Sequence, residues 1–248
     1  MVLFFITTGF LAAFIDSVVG GGGMISLPAL LSTGLPPTVA LGTNKLASTM
    51  GSLTSTISFI RSGKVNIKLV TYLFPLALIG SWLGVIVVQY VPTEFLEPII
   101  LVLLSAVAIY TMTRKDWGMR SSSVQLSLKW IVFICAASLT IGFYDGFLGP
   151  GTGSFLIFAF LLIGYNFVES AGNAKVLNFA SNIAALLAFI YFDSVHFSYG
   201  FIMGGAMVFG ALVGSRLAIR KGAAYVKILF ILVTIGLIAK NIWHYVQK

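Results

Sequence analysis

Residues 16–31 read DSVVGGGGMISLPALL, an aspartate and four consecutive glycines set between apolar runs. Glycine clusters do nothing for the stability of a membrane helix, and a carboxylate in lipid is costly. The device recurs once, as YDGFLGPGTGSFLIF at residues 144–158. Behind each glycine turn comes a short apolar run, 24–33 in one case and 153–165 in the other. Crossing a hydrocarbon core of about 30 Å takes roughly 20 helical residues, so both runs read as half-helices or re-entrant pieces.

Around these two motifs the chain is apolar almost throughout. Of its 248 residues, 58% are hydrophobic and 9% charged, whereas a soluble domain carries about 25% charged residues. Such a chain cannot cover a water-facing surface, which makes it an integral membrane protein with the lipid bilayer as its partner. Its apolar runs are continuous, not alternating, so a β-barrel is excluded. The expected fold is an all-α polytopic bundle of about 8–10 membrane segments, because helices satisfy their own backbone polar groups in lipid. The opening MVLFFITTGFLAAFID lacks a basic leader region and a small-residue cleavage site, and reads as the first membrane segment, not a signal peptide. Cys135 stands alone, and His196 and His244 lack ligand spacing, so neither a metal nor a cofactor is expected. The formal charge of +8 resides in loops, where it sets topology and does not point to nucleic acid.

Five apolar segments (3–19, 24–33, 37–62, 67–91, 94–113) precede the polar loop RKDWGMRSSSVQ (114–125), and five follow it (126–148, 153–165, 167–192, 197–219, 223–246). The two sets are internal repeats. At an offset of 129, Phe14, Asp16, Gly20 and Gly22 fall on Phe143, Asp145, Gly149 and Gly151. At an offset of 130, Gly42, Lys45, Phe59, Ile60, Val65, Gly80 and Gly84 fall on Gly172, Lys175, Phe189, Ile190, Val195, Gly210 and Gly214. Residues 1–113 are thus a first membrane repeat, 114–125 a linker, and 126–248 a second repeat.

The positive-inside rule orients them. Loops 61–68, 114–129 and 216–227 hold eleven of the fifteen basic residues and are assigned to the cytoplasm, with both termini outside. The third segment then ends inside while its repeat ends outside, so the repeats are inverted. Inverted repeats with interrupted helices mark secondary transporters, whose substrate site lies at the repeat interface near the midplane.

Two lysines, Lys45 and Lys175, remain inside the membrane at equivalent places. Each stands about eight residues into its helix, some ~12 Å along the axis. A lysine there costs about 2.5–3.5 kcal/mol on insertion scales, and a pair in register points to function over snorkelling. Lys45, Ser48, Ser52 and Ser55 share one helix face, as do Lys175, Asn178 and Asn182. The asparagines read as site lining, and the serines, Ser48 to Ser55, also suit helix packing. Gly21, Gly22 and Gly23, with Gly151, Thr152 and Gly153, bare backbone N–H groups at half-helix N-termini, where an anion is favoured. No strand precedes them and no Gly-Lys-Ser/Thr closes them, so they are not a nucleotide loop. Asp16 and Asp145 are candidates for counter-charge, loop anchoring or proton coupling. Glu169 has no acidic counterpart and is placed at a polar rim.

The stretches FIDSVVGGGGMISLPALLSTGLPPTVALGTNKLAST (14–49), GFYDGFLGPGTGSFLIF (142–158) and SAGNAKVLNFASN (170–182) resemble the sulfite exporter TauE/SafE family over essentially the whole chain. The resemblance implies a permease for sulfite, organosulfonates such as sulfoacetate, or related anions. The family's asparagine–lysine motif matches Asn44 and Lys45, and its second-half counterpart matches Asn173, Lys175 and Asn178. Alternating access by one repeat rocking against the other is the mechanism expected. Two other classes compete. An intramembrane enzyme would use Asp16 and Asp145 as paired acids, although neither ends a Gly-x-Gly-Asp sequence. An anion channel would hold a continuous pore in a single state.

Overall fold

The computed structural model describes residues 1–90 and 127–246, with side chains up to residue 232. Segment 94–113 and the linker 114–125 lie outside the described residues. The helices are α1 (Val2–Val19), α2 (Gly23–Leu31), α3 (Pro37–Arg61), α4 (Ile67–Val88), α5 (Leu128–Phe147), α6 (Thr152–Leu162), α7 (Phe167–Tyr191) and α8 (Phe197–Val246). Among the described residues, five helices are long and apolar enough to cross a membrane: α1, α4, α5, α7 and α8. At 25 residues α3 has the length but not the composition. It buries Thr43, Asn44, Lys45, Ser52, Ser55 and Thr56 inside the protein, and a helix that turns its polar groups inward has no need of an apolar sequence.

Local chemistry sets the ends of these elements. Pro37 opens α3 at a position where its missing N–H costs nothing. Asn66 caps α4 by accepting from the Leu69 amide. At the start of α7, Asn166 accepts from the Glu169 amide while the Glu169 carboxylate accepts from the Asn166 amide. Glu169 is therefore the closing half of a capping box. Gly222, with φ 79°, breaks the helical path of α8 between the segments read as 197–219 and 223–246. Gly20 (φ 78°) and Gly151 (φ 90°) occupy the left-handed region at the two interrupted spans, where a side chain would be strained.

Glycine contacts fix the packing. Gly80 and Gly84 of α4 lie on the backbone of Leu139 and Phe143 in α5. Gly210 and Gly214 of α8 lie in the same way on Phe10 and Phe14 in α1. A Cβ at any of the four would come within 2.1–2.5 Å of a carbonyl oxygen. These small-xxx-small pairs thus close helix contacts within the chain. The registers make α1 parallel to α8 and α4 parallel to α5. Leu46 with Gly200 and Gly51 with Met207 set α3 parallel to α8 as well.

Two bundles result, one of α1, α2, α3 and α8, the other of α4, α5, α6 and α7. Each takes three helices from one half of the sequence and one from the other. Within them the nine-residue α2 starts beside Ala12 and Asp16 and folds back along α1. Helix α6 packs correspondingly on α5. The bundles meet chiefly along α3 and α7, which run antiparallel: Gly42 lies on Ser194, Thr56 bonds the Lys175 carbonyl at 2.9 Å, and Gly172 lies on Lys64. Exchanging the halves at the sequence offsets turns the Gly42–Ser194 contact into Gly172–Lys64, and Gly80–Leu139 into Gly210–Phe10.

Candidate substrate-binding site

The glycine turns come together from opposite bundles. A Cβ on Gly20 would sit 2.3 Å from the Ser154 nitrogen and 2.6 Å from Gly153 Cα, so the turns touch backbone to backbone. Ser154 Oγ donates to the Val19 carbonyl at 2.9 Å and ties the start of α6 to the end of α1.

Beside this junction lies a cavity of about 30 Å³, room for roughly two water molecules. Gly21, Gly22 and Gly23 line it from one turn, and Gly149, Gly151, Thr152 and Gly153 from the other. Asn44, Lys45, Ser48, Gly51 and Ser52 come from α3, and Asn178 and Asn182 from α7. Asp16 and Asp145 complete the polar wall, with Ala12, Ala13 and Met207 as the apolar part.

The charges are crossed between the halves. Lys45 Nζ stands 2.8 Å from Asp145 Oδ1, and Lys175 Nζ 2.7 Å from Asp16 Oδ2. Each lysine thus meets the acid of the other repeat, and both pairs bridge the two bundles. Lys45 also donates to Asn182 Oδ1 at 3.2 Å, and Asn182 Nδ2 reaches Ser52 Oγ at 3.5 Å. The acids hold their own glycine turns as well. Asp16 Oδ1 accepts the Gly22 amide at 3.3 Å, and Asp145 Oδ1 accepts the Thr152 hydroxyl at 2.8 Å. Since each carboxylate faces a lysine, the arrangement is one of two ion pairs, unlike an acid dyad that shares a proton.

Most of the residues singled out from sequence gather here, with two differences. Lys175 is fully buried behind Asp16 and touches the cavity wall through it. Asn173 is not on the wall: its Oδ1 accepts the Asn66 amide at 2.8 Å. Ala12, Ala13, Gly51 and Met207 went unremarked in the sequence because small and apolar residues give no signal in an apolar chain.

The family model described as TauE, sulfite exporter TauE/SafE, matches residues 5–241. The chain belongs to the sulfite exporter TauE/SafE family. It is 39% identical over 240 residues to the probable membrane transporter protein ORF9 of a Sinorhizobium species, covering 96% of this chain and 90% of that one. The probable membrane transporter protein YfcA of Escherichia coli is 37% identical over 98% of this chain and 89% of its own length. A TauE/SafE family protein of Arabidopsis thaliana, number 6, is 30% identical over 112 residues, 45% of this chain and 26% of that one. No solved structure matches. With its apolar helices and these relatives, this TauE/SafE member is a multi-pass membrane transporter and not an enzyme.

Proposed function

We propose that the chain carries a small sulfur-containing anion, sulfite or a short organosulfonate, across the cytoplasmic membrane by alternating access. The observation that carries this reading is the convergence on one cavity of two glycine-opened half-helix N-termini, the Lys45 ammonium and the amides of Asn44, Asn178 and Asn182. Half-helix N-termini favour anions through their free N–H groups and partial positive charge, and interrupted helices at a repeat interface are the usual seat of a carried ion. The family's printed description supports sulfite as the first anion to try.

The antiparallel α3 and α7 suit two repeats inserted in opposite senses, with loops 61–68, 114–129 and 216–227 in the cytoplasm and both termini outside. The rocking bodies in this reading are the two bundles, each of which borrows one helix from the other half. A cavity of about 30 Å³ favours a small guest over a long one.

The test is a thermal-shift screen of the purified protein with sulfite, sulfate, thiosulfate and C2–C3 sulfonates. A ligand that binds only the folded state raises stability with its concentration over Kd. Stabilisation by at least one of these anions, lost in Lys45→Ala and Lys175→Ala, is expected. Equal stabilisation of both variants and the wild type refutes the site.

A further inference from the structure

We propose that each singly charged anion travels with one proton, and that Asp145, not Asp16, carries it. This rests on the anion-carrier reading above and assigns its coupling. Lys45, Lys175, Asp16 and Asp145 meet around the cavity, two charges of each sign, so their formal sum is zero. An anion that joins this neutral set beside Lys45 and Asp145, both 2% exposed, leaves one negative charge uncompensated, and buried unpaired charge is strongly disfavoured. A proton taken up with the guest restores the balance.

The two acids are not equivalent as its carrier. Asp16 is 25% exposed and has both oxygens engaged, Oδ1 by the Gly22 amide and Oδ2 by Lys175. Asp145 is 2% exposed, and Lys45 and Thr152 both use its Oδ1. Its Oδ2 is buried with no hydrogen-bond donor among the described residues. A carboxyl group accepts a proton on a free oxygen without losing a bond, and only Asp145 has one. Asn44 Oδ1, another buried acceptor with no donor, belongs to a residue on the same cavity wall. Asp145 faces a small set of groups: Lys45 from α3, Thr152 from α6, and, around the cavity, Asp16 of α1 and Lys175 of α7. Helix α4 brings Ser81 to the neighbouring Gly146, and α8 brings Met207 to the cavity. The Tyr144 hydroxyl is spent on the Pro150 carbonyl.

On the open side, a proton from water forms an O–H bond at Asp145 Oδ2, and the guest's oxygen takes up the Lys45 ammonium. On the other side the guest leaves, the proton returns to water, and carboxylate and ammonium pair again.

Full-length protein in micelles, in weakly buffered solution with a pH indicator, tests this with methanesulfonate, which stays ionised throughout the neutral range and brings no titrating proton of its own. Thermal stabilisation reads occupancy, and the indicator reads protons. Expected are about one proton taken up per anion bound, with affinity falling about tenfold per pH unit where Asp145 is otherwise ionised, as one-proton linkage requires. Asp145→Asn should take up none and lose the pH dependence; among charge-conserving variants, Asp145→Glu should shift the carboxylic-acid infrared band that binding raises, while Asp16→Glu leaves it in place. Binding without proton uptake, uptake that survives Asp145→Asn, or binding that requires sodium in place of the proton overturns the proposal. Should Asp145→Asn not fold, the wild-type stoichiometry and pH slope decide the coupling, and the two glutamate variants decide its carrier. If none of methanesulfonate, sulfite, sulfate, thiosulfate and the C2–C3 sulfonates stabilises the wild type, the anion site itself is refuted and this inference goes with it, an outcome separate from binding without protons.

Discussion

A double-mutant cycle on Lys45 and Asp145 tests the crossed ion pairs most directly. Both side chains are 2% exposed and their charged atoms are 2.8 Å apart. Lys45→Met strands a buried carboxylate, and Asp145→Asn strands a buried ammonium. Breaking a buried pair from one side costs about 3–5 kcal/mol, because the remaining charge has nothing to meet. At about 1.4 kcal/mol per decade, this is roughly two to four orders of magnitude in the folded-to-unfolded ratio. The double variant Lys45→Met/Asp145→Asn strands nothing, and neutral side chains of similar volume often replace a buried pair at little cost. Its loss should therefore fall well below the sum of the singles, and below either one alone. Unfolding of the purified protein in micelles, followed by helical circular dichroism against denaturing detergent, supplies the three differences. The pair Lys175 and Asp16 is an internal control with a built-in asymmetry. Lys175 is 0% exposed and Asp16 25%, so Asp16→Asn, which strands the sealed lysine, should cost more than Lys175→Met, whose remaining carboxylate keeps some water. Single variants that each lose under about 1 kcal/mol and add to give the double would show that the pairs are not coupled in the folded protein.

Gly20→Ala should prevent folding or part the two glycine turns, since its Cβ would lie 2.3 Å from the Ser154 nitrogen at φ 78°. Gly34→Ala has a similar φ of 82° but nothing within 4 Å, and should cost only about 1–2 kcal/mol of backbone strain; expression and melting temperature compare the two. Asn182→Ala removes an acceptor of the Lys45 ammonium and should weaken sulfite stabilisation by about tenfold or more, given roughly 1.5–3 kcal/mol for a charge-assisted bond. With Cys135 replaced by serine, a cysteine at Ser62 should react with a membrane-impermeant maleimide only from the cytoplasmic side, and one at Asp193 only from outside; labelling of both from one side refutes the assigned orientation.

Much of this structure is legible in the sequence because lipid imposes simple demands. Helix α3 begins at Pro37 and ends at Arg61, as the proline pair and basic cluster indicate, and the two glycine turns interrupt the spans where their repetition places them. Helical periodicity also explains why Asn178 and Asn182 share the site with Lys45 while Asn173 does not. Asn173 precedes Lys175 by two residues, about 200° round the helix, and faces the loop at Asn66. What the sequence does not contain is the choice of partner. Lys45 has equal claim on Asp16 and Asp145 by residue type, and only the crossing of α3 past α7 decides between them. Ala12, Ala13 and Met207 line the cavity through the way α1 and α8 fit together, which their own identities do not encode. The Gly80/Gly84 and Gly210/Gly214 pairs could as well have joined separate chains, until their partners in α5 and α1 are seen.

The swapped lysines and acids have a bearing on ancestry. A polypeptide that consisted of one half alone would hold a cation and a carboxylate made to fit someone else, and would lack the fourth wall of its own bundle. It could close only around a second such piece running the other way, as α7 runs against α3. A single chain that carries both halves lets the two differ, as Asp16, 25% exposed, and Asp145, 2% exposed, do.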